Sequence, residues 1–282
     1  MKKLLSIATA LVALAAIDTA GAADLPAAPT YKAPVVAPVS YYNWSGFYLG
    51  LNAGYGWGDD AVALSGDPAS LFLSGVTSGV FPATIATNPR GFVGGGQIGW
   101  NYQAGSFVFG LEADADATDI KSSGVVVGTL GVPRTLTGSQ RLDWLATFRG
   151  RLGVTPTDRM LLYVTGGGAA GRANASVSLT TNDAAGAPGS GCVIGTCESA
   201  ALSNTLWGWS AGGGAEYAVG GNWSIRAEYL HYDLGSINLT AADSRFPPGV
   251  NVTNASAHFR GEIVRAGVNY KFDWGGPVVA RY

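Results

Sequence analysis

The sequence is short of what most familiar protein classes are built from. Charged residues are 13% of its 282 residues, against roughly 25% in an average soluble domain. The formal net charge of −2 gives no electrostatic attraction to a polyanion, which excludes nucleic acid as a partner. The longest apolar run, LLSIATALVALAAI, is 14 residues, short of the roughly 20 that a spanning helix needs. No other stretch approaches that length, so a helical membrane anchor in the mature chain is excluded. Two histidines and two cysteines are a thin supply for catalysis or metal binding, and neither a metal nor a cofactor is expected.

Glycine is what the chain has in excess: 42 residues, about twice the usual share of roughly 7%. These glycines have no period of three, which excludes collagen. Eight tryptophans at such low charge do not suit a helical globule. Cys192 and Cys197 lie in GSGCVIGTCES. In an exported chain they are expected to pair as a small disulfide closing a loop tip. The alternative is a metal site, but two thiols without nearby His or further Cys make a poor zinc set.

Export itself is read from the N-terminus. A basic Met1-Lys2-Lys3, the apolar run and Ala20-Gly21-Ala22 form the pattern of a secretory signal peptide over 1–22. Residues 23–43 hold Pro26, Pro29, Pro34 and Pro38. That composition favours an extended tether, or else a proline-rich ligand, over packed structure. The remaining 44–282 form one domain, dominated by alternation with period two.

Eight runs share that pattern. In WSGFYLGLNAGYGWG, Phe47, Leu49, Leu51, Tyr55 and Trp57 share one parity. Phe92, Ile98, Trp100 and Tyr102 do so in GFVGGGQIGWNYQ, and Phe107, Phe109 and Leu111 in FVFGLEADADATD. RLDWLATFRGRLGV sets Leu142, Trp144, Phe148 and Leu152 against Arg141, Asp143, Arg149 and Arg151. MLLYVTGGGAAGR, over 160–172, is too uniformly apolar for its faces to be assigned. The last three runs set Trp207, Trp209 and Tyr217 against Glu216; Trp223, Ile225 and Tyr229 against Arg226 and Glu228; and Val264, Tyr270 and Phe272 against Arg265 and Lys271. Glu262 and Arg260 fall on the greasy parity, so the apolar band must end there or a bulge must intervene. Short connections alternate with long ones at roughly 59–90, 119–140, 172–204 and 233–258. The fold class is therefore all-β: an eight-stranded antiparallel up-and-down barrel.

Three features place the greasy face outside, the reverse of a soluble barrel. The polar parity holds acids Glu112, Asp114, Asp116, Asp143, Glu216 and Glu228 against bases Arg141, Arg149, Arg151, Arg226, Arg265 and Lys271, six of each. Such balance suits an enclosed space, where an unpaired charge costs several kcal/mol. Glycine is dense on the same parity, as the narrow bore of eight strands requires. Aromatics gather at both ends of the greasy parity. Phe47, Trp100, Tyr102, Phe107, Tyr217, Trp223, Tyr270 and Phe272 lie near the short turns; Trp57, Phe92, Trp144, Trp207, Trp209 and Tyr229 lie near the long loops. Those are the two interfacial girdles of a transmembrane β-barrel.

NWSGFYLGLNAGYGWG, LDWLATFRGRLG, LLYVTGG, NWSIRAEYL and RAGVNYKF, with the leader and tether, together resemble the small outer-membrane surface-antigen barrels of rhizobia, brucellae and relatives, the porin-family barrels similar to the OmpA membrane domain. The resemblance covers Trp44 to Phe272. It implies residence in the outer membrane, contact with outer-membrane lipid and lipopolysaccharide, insertion by the barrel-assembly machinery, and loops open to host or surface ligands. Many relatives end at the aromatic matching Phe272, whereas this chain continues to Tyr282, so either aromatic is the candidate assembly signal.

Little chemistry competes with that reading. His231 and His258, with Ser256 or Ser244 and Asp233, supply the residue types of a hydrolytic triad at the rim; the plainer reading is polar rim residues, and no enzyme is expected. Asp114 and Asp116 suit a cation site by spacing, but arginines on the next strand make a salt-bridged plug the stronger expectation. If strand turns level the heights, Glu112 meets Arg149 and Glu228 meets Arg265. GGGQIG and VTGGGAAG lack the lysine and following helix of a phosphate loop. The expected function is a non-enzymatic envelope barrel and surface antigen with a salt-bridged lumen; the alternative is a porin with a narrow pore for small hydrophilic solutes.

Overall fold

A computed structural model describes residues 42–58, 61–66, 76, 78–79, 81–130, 132–181, 195–242 and 252–272. The signal-peptide segment, most of the tether, Cys192, Ser244 and Tyr282 lie outside the described residues. Among the described residues there are ten strands: β1 (Gly46–Trp57), β2 (Ala61–Gly66), β3 (Thr84–Ala86), β4 (Arg90–Ala104), β5 (Phe107–Leu130), β6 (Val132–Thr157), β7 (Met160–Thr181), β8 (Gly195–Gly220), β9 (Trp223–Ala242) and β10 (Val252–Lys271). Eight of them, β1 and β4 to β10, close into a ring through antiparallel neighbours, with β1 pairing β10. No helix among the described residues is long and apolar enough to cross a membrane.

Alternation explains the walls. Leu51, Phe92, Phe107, Phe148 and Val164 point outward and are exposed, while Glu112, Asp114, Arg149 and Arg265 point inward and are buried. In β7 the faces resolve as Leu162 and Val164 outside, Leu161 and Tyr163 inside. Aromatics meet across strands on the outer wall, as in Tyr55–Phe92 at 5.4 Å and Trp223–Tyr270 at 5.0 Å. Glycine is needed inside because neighbouring backbone lies close: a Cβ on Gly95 would fall 2.1 Å from the Ala115 carbonyl oxygen.

The long connections differ from expectation. Most of 119–140 is not loop, since β5 and β6 stay paired from Ile120↔Leu142 to Leu130↔Val132. The β6–β7 ladder likewise extends to Arg134↔Thr181, and β9–β10 to Val252↔Ala242. Serine, threonine and glycine at these positions mimic loop composition while still alternating with Leu136, Val177, Leu179, Ile237 and Leu239. Between β1 and β4, β2 continues along β10 where β1 stops, with Ala257↔Val62. β3 pairs β2 and approaches β5, with Asn88 N–H donating to Ser122 Oγ at 3.1 Å.

This outer half has the opposite filling from the inner half. The β8–β9 ladder ends at Trp209↔Asp233. Beyond that point β8 runs on against β7, and β9 against β10. Two sheets thus face each other over an apolar core that includes Leu136, Leu142, Ala173, Leu234, Ile237 and Ala257. Burying a leucine or isoleucine contributes about 1.5–3 kcal/mol, so the extension has its own source of order.

Candidate functional site: the lumen and its rim

Below the apolar core the lumen is ionic. Arg149 is the hub: its Nη2 donates to Glu112 Oε1 at 2.8 Å and Asp114 Oδ2 at 2.6 Å, and its Nη1 to Glu228 Oε1 at 3.2 Å. Glu112 and Arg149 are direct register partners across β5 and β6, as are Glu228 and Arg265 across β9 and β10. Arg265 donates to Glu228 Oε2 at 2.7 Å and to Asp116 Oδ2 at 2.7 Å. Arg226 reaches Glu112 from the opposite wall at 2.5 Å. Nearer the short turns Arg151 pairs with Glu216 and lies 3.6 Å over the Tyr163 ring.

Several members of this site were not expected from sequence. The Tyr48 hydroxyl donates to Glu112, and the Tyr163 hydroxyl to Glu228 at 3.2 Å. Asn52, Gln97 and Asn269 form an amide chain that ends on Glu216 Oε1. All share the inward parity with the charges, which was the available signal. Below them Trp44, Val108, Leu161 and Ala218 make a second apolar cluster at the short-turn end. Asp114 and Asp116 are both bound by Arg265, the arrangement of a plug, and among the described residues no group of His, Cys, Asp or Glu is placed to hold a metal ion.

Three residues expected in the lumen lie elsewhere. A register shift between Leu142 and Trp144 turns Leu142 into the interior and Arg141 out to the surface. Asp143 sits half-exposed at the rim, where it takes Arg141 Nε at 2.8 Å and Asn174 Nδ2 at 2.8 Å. Lys271 lies at the short-turn rim, its Nζ donating to the Asn43 carbonyl at 2.6 Å. The remaining charges, Glu112, Asp114, Asp116, Arg149, Arg151, Glu216, Arg226, Glu228 and Arg265, lie together inside.

At the outer rim a bulge separates His258 from Arg260. His231 Nδ1 meets Glu262 Oε1 at 2.8 Å, and the Tyr229 hydroxyl donates to the same carboxylate. His258 meets Ser236 Oγ through Nδ1 at 2.8 Å and Asp233 Oδ1 through Nε2 at 3.1 Å. The serine beside this histidine is therefore Ser236, its register partner, rather than Ser256. Contact between register partners is what the ladder itself delivers. Further round the rim the Lys121 ammonium, which hydrogen-bonds Asp119, holds that carboxyl below its ordinary range. Cys197 is buried in β8 and disulfide-bonded.

The family model described as "Outer membrane protein beta-barrel domain" matches residues 9–272. The "31 kDa outer-membrane immunogenic protein" of Brucella melitensis is 33% identical over 95% of this chain and 99% of its own length. The "22 kDa outer membrane protein" of Rhizobium leguminosarum is 25% identical over 82% of this chain and 79% of its own. Among solved structures, the outer membrane protein OprG of Pseudomonas aeruginosa aligns over 82% of this chain and 98% of its own at 14% identity and a TM-score of 0.44, a likeness too loose to bear on function.

Proposed function

The chain belongs to the outer membrane protein β-barrel family, and from that premise we propose that it is a non-enzymatic structural component of the cell envelope with a closed lumen and an exposed outer half that acts as a surface antigen. The observation that supports closure is the burial of the lumen charges. Arg149 is 0% exposed and Arg265 1%. A water-filled bore would leave such groups wet, as in the larger barrels that conduct. Apolar clusters lie on both sides of the ionic tier.

The outer half supplies the surface for recognition, since specificity in such barrels resides in what projects beyond the membrane. Leader 1–22 directs export and the barrel-assembly machinery inserts the chain. Purified full-length protein in a planar bilayer is expected to give no steady conductance. A stable open channel selective for small hydrophilic solutes would replace this reading with that of a porin.

A further inference from the structure

We propose that the outer wall of β4 to β7 is a docking site for the anionic headgroup of the outer-leaflet glycolipid, formed by Arg90, Lys121, Arg141 and Arg172. Arg90 opposes Lys121 directly across β4 and β5, and Lys121 opposes Arg141 directly across β5 and β6. Arg172 follows on β7, opposite Trp144. All four side chains are exposed. Like charges directly opposite one another on a ladder oppose folding, and here two such pairs lie side by side. Asp119 takes Lys121 at 2.9 Å, and Asp143 takes Arg141 at 2.8 Å and Arg172 at 4.0 Å. Two carboxylates against four bases leave the patch positive.

The depth of the patch selects its ligand. Arg90 is the register partner of Trp57, and Arg172 of Trp144. Both aromatics belong to the girdle at the outer end of the apolar wall, where interfacial rings sit at headgroup level. A cationic patch at that level faces the charged groups of the outer leaflet, as polybasic segments face anionic lipid elsewhere. Planar guanidinium groups bind such oxyanions in bidentate fashion. The inference depends on the position of the outer girdle and is independent of whether the lumen conducts.

The test uses full-length protein in detergent, with binding of bisphosphoryl lipid A followed by native mass spectrometry or by quenching of the outer-girdle tryptophans. The Lys121→Gln/Arg141→Gln variant is expected to lose about tenfold or more in affinity, because each basic group contributes about 1 kcal/mol near an anionic surface. The same variant is expected to unfold no more easily than wild type without lipid, because it removes opposed charges. Lys271→Gln, at the far end of the barrel, is expected to bind as wild type does. Dephosphorylated lipid A is expected to bind at least several-fold more weakly, and inorganic phosphate alone not to compete at equal concentration. Equal affinity of wild type and the double variant for bisphosphoryl lipid A would overturn the proposal, as would full competition by inorganic phosphate.

Discussion

At the scale of single residues, Arg149 holds the ionic tier together. It touches three carboxylates, Glu112, Asp114 and Glu228, so removing it leaves buried negative charge without its counterion. Arg149→Met is expected to lower stability by about 3–5 kcal/mol, because an uncompensated buried charge costs that much. The urea midpoint of refolded protein, read by the shift between folded and unfolded mobility on a gel, measures it. Arg151→Met/Glu216→Gln, which removes both partners of a neighbouring pair, is expected to cost less than Arg151→Met alone. An unchanged midpoint for Arg149→Met would remove this residue from the network. The pairing of Glu112 with Arg149 was legible in the sequence because both stand on the inward parity and levelling the apolar bands of the two runs puts them at one height. Asp143 was misplaced because one extra residue in a ladder reverses every parity beyond it, and nothing in RLDWL marks the bulge. Tyr48 and Gln97 stood on the inward parity all along, but parity alone does not name a hydrogen-bond partner.

At the scale of elements, the outer extensions of β5 to β10 were hidden by composition. Segments such as SSGVVVGTL and TLTGSQ are rich in residues that favour loops, yet Val126 and Leu136 keep the period-two pattern. The signal was present but weak, because half of each extension faces solvent and half faces an apolar core instead of lipid. Hydrogen exchange of the full-length protein in micelles decides the matter. Amides at 134–142, which pair on both sides, and the alternate amides of 120–128 that face β6 are expected to be strongly protected, and Leu136→Ala to strip that protection at a cost of about 2–5 kcal/mol. Rapid exchange throughout these segments in the wild type would return them to loops. Seven of the eight ring strands, by contrast, were readable as alternating runs, since aromatics mark most of the points where they enter or leave the apolar band; the faces of 160–172, whose one aromatic is the inward Tyr163, were not.

At the scale of the whole molecule, two fillings are stacked in one cylinder. In the inner half a greasy wall faces outward and charges neutralise one another inside; in the outer half the walls close over an apolar core and present mostly polar side chains, with Val125 and Val127 of β5 among the exceptions. The inside-out half was legible from composition: low total charge, balanced ions on one parity, and glycine dense on the same parity. The core of the outer half was not, because its apolar residues lie in runs that read as loop. The measurement that bears most directly on this account is spin labelling at single cysteines placed at Leu111, Phe148, Thr147 and Ser210, with relaxation by membrane-soluble oxygen and by a water-soluble nickel chelate. Labels at Leu111 and Phe148 are expected to respond to oxygen and not to nickel, and labels at Thr147 and Ser210 to be shielded from both. Strong nickel relaxation at Thr147 would mean a water-filled bore, and strong nickel relaxation at Leu111 would mean that the greasy face does not meet lipid.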